Sequence, residues 1–442
     1  MNPRITALVA ATILLLAGAT PAQAAEIGTD GLSETTRPIK AHAAGASSQD
    51  PNLVDQWAFA TDRPMGMQTA WNQTVGGEVT VAVIDSGIAI DHPDLQGNIW
   101  TNPGEVAGNG VDDDNNGYVD DVHGWDFVAG DSDPSDENGH GTHVAGIIGA
   151  RGDNHIGGAG VAYRVKLMPI RVLDSNAAGS TTAVALGVRY AVDNGARIIN
   201  LSLAGPSGAD DLKAAIVYAQ VKGAVVVVAA GNQSRSLSIT PSFPASYLLD
   251  NIVGVAATDE TLGLADISNF GDGADIAAPG ADILSTAIDG GYEWRTGTSM
   301  ATPAVAGTLA LIASVRPDLD GTGLRNALYA GASGGGLPVA IGSVNAAAAL
   351  RTVIPGGSWK QPATTPAAKT TFTKATRRVV TPTFSAKRSL AKKAAAKKAS
   401  AKSKSCKRPG KRAGKRAKAK FKKCLKAKRK TAKKKAAASR KK

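Results

Sequence analysis

Three short motifs carry residue types that together could perform acyl transfer. Asp85 stands in VAVIDSGI at the end of a β-rich run, His140 stands in NGHGTHVAG, and Ser299 stands in GTSMATPAVAG. A serine hydroxyl is a weak nucleophile at its ordinary pKa and needs a base. A histidine can take that proton and return it to a leaving amine. A carboxylate behind the imidazole holds the right tautomer and stabilises the imidazolium. Asn232, after Gly231, adds a side-chain amide donor for a developing oxyanion, beside the backbone N–H of Ser299 at a helix start. Gly231 leaves room for a substrate carbonyl to come close. Each motif has a plainer reading alone: Asp85 as a turn or cap residue, Ser299 as a helix N-cap. His140 and His143 are spaced i,i+3 like a metal pair, but no HExxH and no third nitrogen ligand accompany them. Capping accounts for neither the other motifs nor their glycines.

The elements that must position these residues alternate between strand and helix. Apolar, β-rich runs at 78–84, 165–172, 197–201, 224–230, 251–256 and 275–277 predict strands, and 141–150, 181–194, 210–221 and 300–314 predict helices. A run such as AVVVVAA at 224–230 has no polar face and needs helices on both sides of its sheet. The expectation is an α/β fold, a three-layer sandwich with a mostly parallel central sheet. Such sheets place function at the carboxyl ends of their strands, where Asp85 and Asn232 stand.

Asp-Ser-Gly at Asp85, His-Gly-Thr-His at His140 and Gly-Thr-Ser-Met-Ala-Thr-Pro at Ser299, in that order, resemble the signatures of the subtilisin-like serine proteases over about residues 50–350. The resemblance implies the subtilisin-like fold, peptide-bond hydrolysis through an Asp-His-Ser triad and an acyl-enzyme, and an oxyanion role for Asn232. It makes Met300 a packed, oxidisable neighbour of the nucleophile, hence a point of peroxide sensitivity. It implies that Ser202-Leu203-Ala204 and Ala229-Ala230-Gly231 flank the main specificity pocket and pair with an extended substrate by strand addition. The family usually has Gly where Ala204 stands, and the extra methyl narrows or shifts that entrance. Neither segment holds a charge, so a broad or apolar preference before the cleaved bond is expected. Phe243-Pro244 resembles a cis peptide of the family; trans is the ordinary alternative.

A second kind of chemistry lies in GNGVDDDNNGYVDDVHGWDF. Counting Asp112 as position 1, oxygen donors fall at Asp114, Asn116 and Asp120, with Gly117 at position 6, the Tyr118 carbonyl at 7, and Asp121 next in line. That spacing suits a hard cation, and calcium is expected. His123 stands where an EF-hand has its closing Glu, so the loop is not a standard one; a solvated acidic loop is the alternative. The family resemblance implies a second calcium site from Asp94, Asn154, the carbonyls of Ile156 and Gly158, and Asp50. Calcium is read as structural in both.

Composition separates the two ends of the chain. Of the 50 Lys and Arg, 34 lie beyond residue 330, where no Asp or Glu occurs; the first 330 residues hold 16 basic and 37 acidic groups, a net of −21. The total of +13 therefore describes neither part. Two cysteines among 442 residues exclude a disulfide-dense scaffold or a cysteine-based cluster; Cys406 and Cys424 could close a loop, stay free or pair between molecules. Arg4, the apolar run 5–19 and Ala22-Gln23-Ala24 read as a signal peptide over 1–24, so a secreted, extracellular monomer is expected, with retention at the cell surface open. Residues 25–48 read as a short flexible leader, too brief for a folded pro-domain, 49–355 as the catalytic domain, 356–385 as a linker and 386–442 as a basic low-complexity tail. No second run is read as long enough to span a membrane. Between 369 and 442 there are 32 Lys and Arg spaced by Ala and Ser, a composition expected not to fold alone and suited to phosphate contacts more than base stacking. Its expected partners are anionic polymers: cell wall, acidic lipid or extracellular DNA. The alternative function is a catalytically inactive protease scaffold that binds polyanions or attaches to surfaces.

Overall fold

The structure is a computed structural model that describes residues 26–29, 37–39, 50–60, 63 and 65–356. The expected signal peptide, linker, basic tail and cysteine pair lie outside the described residues. In chain order the strands are β1 (Glu26–Gly28), β2 (Arg37–Ile39), β3 (Gly76–Asp85), β4 (Trp125–Asp126), β5 (Arg164–Arg171), β6 (Ala178–Ser180), β7 (Ile198–Leu201), β8 (Val225–Ala229), β9 (Ile252–Thr258), β10 (Ile276–Pro279), β11 (Ile283–Thr286), β12 (Tyr292–Arg295) and β13 (Gly342–Ser343). The helices are α1 (Met67–Trp71), α2 (His140–Gly149), α3 (Thr181–Asp193), α4 (Asp210–Val221), α5 (Thr298–Val315), α6 (Gly321–Ala330) and α7 (Ala346–Val353).

Eight strands form the central sheet in the order β13-β10-β9-β8-β7-β3-β5-β4, and every neighbouring pair is parallel. The sheet buries both faces, as the unbroken apolar runs require. Alternate residues of β8 serve different layers: Val225 and Val227 join one core with α2 and α5, while Val226 and Val228 join the other with α3 and α4. The expected three-layer α/β sandwich is the observed architecture.

Helix α5 runs through the middle of its layer with 16 of 18 residues buried, which is why it carries no polar face. By length and composition it could cross a membrane, contrary to the reading that no later run is long enough; its burial marks it as a core helix. Two departures lie at the edges. Residues 25–48, read as a leader without elements, contain β1 and β2. Strand β1 pairs antiparallel with β6, and β2 pairs antiparallel with β12 in a three-stranded sheet with β11. Three-residue strands leave no periodicity to read; long-range partners with open N–H and C=O groups create them.

Candidate active site

Asp85 is the last residue of β3, and His140 is the first of α2, so both reach the carboxyl end of the sheet. His140 Nδ1 and Asp85 Oδ1 are 2.7 Å apart, with both side chains buried. The same carboxylate oxygen accepts the backbone N–H of Ser86 at 2.8 Å, which fixes its direction. Close approach of α2 to β3 depends on Gly141: a Cβ there would lie 2.1 Å from the Gly87 carbonyl oxygen and 3.1 Å from Asp85 Cβ.

Ser299 sits in the first turn of α5 and is buried, at 2% exposure. Its Oγ donates to the Ser202 carbonyl at 3.1 Å, and Ser202 Oγ donates back to the Ser299 carbonyl at 2.9 Å. Pro303 explains the second bond. It stands four residues on and has no N–H, so the Ser299 carbonyl has no helical donor and Ser202 supplies one. Asn232 is held by its oxygen: Oδ1 accepts the Thr298 N–H at 2.8 Å and Thr298 Oγ1 at 2.9 Å. That leaves the amide nitrogen as the end presented beside the start of α5. Gly231 has φ +99°, and a Cβ on it would lie 2.6 Å from Asn269 Nδ2, so backbone conformation and space both demand glycine.

The residues expected to flank the specificity pocket divide by exposure. Ser202, Leu203, Ala229 and Ala230 are buried, whereas Ala204 is partly open at the end of its segment. Phe243-Pro244 is cis, and Phe243 exchanges backbone hydrogen bonds with Gly205, both at 2.9 Å. Met300 is fully buried beside Ser299. His143 is no metal partner of His140: its Nε2 meets the Glu293 carbonyl at 3.1 Å, and burial, followed by nearby Arg295, holds its pKa well below the usual 6.5.

Residues 76–372 match the subtilase family, more than half of the chain. The chain belongs to the subtilase family. It is 42% identical to thermitase of Thermoactinomyces vulgaris over 245 residues, 55% of this chain and 78% of that protein. It is 41% identical to subtilisin DY of Bacillus licheniformis over 254 residues, 57% of this chain and 83% of that protein. Among solved structures it is similar to a protease from Pseudoalteromonas arctica, with a TM-score of 0.58 and 32% identity over 70% of this chain and all of that one. A cold-adapted subtilisin-like serine proteinase gives 0.51 and 33% over 62% and 89%. Membership in the subtilases, with likeness at this level, makes the chain an enzyme of the serine-peptidase type.

Within this subtilase, one group of three acidic side chains among the described residues brings ligand atoms within 4.8 Å of one another: Glu105, Asp114 and Asp121. Asp114 and Asp121 were expected; Glu105 was not, because it lies seven residues before Asp112, outside the counted loop. Asn102 Nδ2 joins Asp114 at 3.0 Å and Asp121 at 2.8 Å, and Tyr190 donates to Asp121 at 2.6 Å. Asn116 Nδ2 also reaches Asp121, at 3.0 Å. Other counted residues make bonds within the loop. Asp112 accepts the N–H groups of Asn116 and Gly117, and Asp120, at φ +54°, accepts those of Asn109 and Gly110. Tyr118 packs its ring against Trp125, Phe127 and Tyr190. Glu105 comes within reach because this loop folds back on the 102–105 segment.

The residues expected to form a second cation site also converge, though with two carboxylates instead of three. Asn154 Nδ2 lies 2.6 Å from Asp94, and the Gly158 N–H donates to Asp94 at 3.3 Å. Asp50 accepts the N–H groups of Asp153, Asn154 and His155, and Ile156 donates its N–H to Asn154 Oδ1. Burial pushes Asp94 up to about 7, against the lowering effect of these bonds.

One buried acid escaped the sequence reading. Asp136 accepts Ser86 Oγ at 2.8 Å, the N–H groups of Asn138, Gly139 and Thr142, and Thr142 Oγ1 at 2.6 Å. Ser86 Oγ in turn accepts the Gly141 N–H at 3.0 Å. This network ties the first turn of α2 to the end of β3. An acid four residues before His140, at a helix entry, was the signal available.

Proposed function

We propose that the chain is a secreted serine endopeptidase that hydrolyses polypeptides through Asp85, His140 and Ser299, with Asn232 as oxyanion donor. The observation that carries this reading is the buried 2.7 Å contact of Asp85 with His140, taken together with a serine at a helix start and an asparagine anchored by its oxygen. In the mechanism, Ser299 Oγ leaves the Ser202 carbonyl and attacks the substrate carbonyl while His140 takes its proton. Asp85 keeps His140 Nδ1 protonated and balances the imidazolium. The Asn232 amide and the Ser299 N–H bind the oxyanion. His140 then protonates the leaving amine, and a water activated by the same imidazole releases the acid from the ester.

Substrate is read as an extended strand beside Ser202-Leu203-Ala204 and Ala229-Ala230-Gly231, with a broad or apolar preference before the cleaved bond. The apolar character of these residues supports it. Structural calcium is read at Glu105, Asp114 and Asp121, and at Asp94, Asp50 and Asn154 with the carbonyls of Ile156 and Gly158; carboxylate and carbonyl oxygens suit a hard cation. Neither set holds the nucleophile, so the ion would support the fold and not the chemistry. The basic tail is read as a tether to anionic polymers outside the cell. Casein clearing with and without a serine-directed covalent inhibitor tests the reading. Clearing that the inhibitor abolishes supports it, and a protein that binds polyanions without clearing casein would leave the inactive-scaffold alternative.

A further inference from the structure

The amino end of the central sheet carries a cleft of about 490 Å³, at the far end of β3 from Asp85. Its walls are the starts of β3 and β5, the turn at 97–98, and Arg151, two residues past the end of α2. The sheet itself opens here. Gly76 pairs with Arg164 and Thr80 with Lys166, so Gly77, Glu78 and Val79 of β3 stand opposite Val165 alone. Such a bulge takes residues out of the ladder and bends its strand. Strand β3 runs from this bulge to Asp85, which puts the cleft roughly 25–30 Å from the candidate triad.

Three cations line the cleft: Arg151, Arg164 and Lys166. Their frame is rigid. Buried Asn98 donates from its amide to the carbonyls of Gly149 and Tyr163, both at 2.8 Å, and these residues stand two before Arg151 and one before Arg164. The Arg151 side chain lies over Gly97, where a Cβ would come within 2.2 Å of its Nη1. Lys166 meets only the exposed Glu78, at 3.5 Å. Among the described residues, Arg151 and Arg164 have no side-chain hydrogen bond or ion pair. By contrast, Arg171 and Arg316 are held by carboxylates, and Arg197 and Arg325 by carbonyls. The first 330 residues hold 37 acidic groups against 16 basic ones. Two arginines without a counter-charge, side by side in one cleft, are the exception in a chain with carboxylates to spare.

We propose that this cleft binds a phosphate ester, at a site on the folded domain that is separate from both the peptidase groove and the basic tail. A guanidinium presents a planar fork of N–H donors that matches two phosphate oxygens, and Lys166 adds a point charge. The volume exceeds that of one phosphate and leaves room for the organic group it esterifies. Glu78 is the carboxylate of the lining and competes with the ligand for Lys166. The acidic remainder of the domain repels anions at large, so a phosphate is held in the cleft and not over the surface. A small phosphate monoester and a phosphodiester within a polymer share this chemistry. Either one, bound at the amino end of the sheet, leaves the groove at Ser299 open.

The test is the thermal midpoint of the full chain carrying Ser299→Ala, in excess calcium and 150 mM salt, with glycerol 3-phosphate as the probe. It uses no turnover, so its outcome is independent of the peptidase reading, and phosphate on the tail does not stabilise the folded domain. Above its Kd the probe should raise the midpoint by about 3 °C for each tenfold increase in concentration, and glycerol alone should not. Arg151→Gln or Arg164→Gln should weaken binding about tenfold, and the double variant should abolish the rise. Glu78→Gln should tighten binding, and Lys213→Gln, which removes a charge on α4, should leave it unchanged. Arg151→Lys and Arg164→Lys keep the charge without the fork; they should bind with intermediate affinity and serve if the glutamine variants fail to fold. A second arm uses octathymidylate: a rise at a tenfold lower phosphate concentration assigns the site to a phosphodiester chain, and no rise assigns it to a small monoester. A parent protein whose midpoint responds to neither probe, or a double variant that responds as the parent does, overturns the proposal.

Discussion

Removing the Asn232 amide should lower turnover far more than substrate binding. Its oxygen is engaged twice by Thr298, so the side chain is fixed before substrate arrives and its amide needs no reorganisation in the transition state. Loss of one such donor from a subtilisin costs about 2.7–4 kcal/mol, or roughly 10²–10³ in kcat. Asn232→Ala should fall in that range while KM moves by less than about threefold, since the bond forms mainly in the transition state. The change also strips two hydrogen bonds from Thr298, each worth about 0.5–1.5 kcal/mol, so the variant should melt earlier as well. Two further substitutions divide these effects. Asn232→Asp keeps the acceptor for Thr298 and loses the donor; it should lose at least as much kcat with a smaller loss of stability. Thr298→Val keeps the donor but loosens its anchor; it should lose less kcat than Asn232→Ala. The assay is steady-state hydrolysis of a short neutral peptide, with melting curves on the same preparations. A rise in KM at constant kcat for Asn232→Ala would refute the reasoning, and so would a Thr298→Val variant as slow as Asn232→Ala.

Chelation should lower the thermal midpoint and speed autolysis, because an ion bound only to the folded state adds stability by mass action, about 2.7 kcal/mol at a hundred times its Kd; an unchanged melting curve after confirmed metal removal contradicts this. The buried His143 has a folded-state pKa below its unfolded 6.5, so the unfolded chain takes up a proton first as pH falls. Stability should therefore decline below about pH 6.5, by up to about 1.4 kcal/mol per pH unit from this group, and His143→Gln should flatten that slope in urea titrations at pH 7.5, 6 and 5. Truncation after about residue 355 should keep kcat/KM on a neutral peptide while salt-sensitive binding to DNA or purified cell wall falls; equal binding by both forms at low salt removes the tether reading.

What the sequence made legible follows from where information about each element resides. Strand β8 and helix α5 are written locally, as unbroken apolar residues that only a fully covered sheet or a core helix can use. The candidate triad was legible because Asp85, His140 and Ser299 each stand at an element boundary that the neighbouring pattern marks. Residues whose role depends on a distant partner were not. Glu105 reaches Asp114 and Asp121 through a fold of the loop that no residue count contains. Strands β1 and β2 exist through β6, Ala204 and β12, and nothing in their own three residues predicts that. Asp136 was visible as an acid near a helix start, but its five hydrogen bonds depend on Ser86 arriving from β3.

The central claim is that Ser299 is the nucleophile, activated by His140 and Asp85. A serine-directed phosphonate forms a stable bond only to a serine that such a base has made reactive. After incubation with the phosphonate, peptide mapping by mass spectrometry should find one adduct, on the peptide containing Ser299, at a rate that His140→Ala reduces by orders of magnitude and Ser299→Ala abolishes. Labelling that persists in Ser299→Ala, or an adduct on another residue with Ser299 untouched, would contradict it.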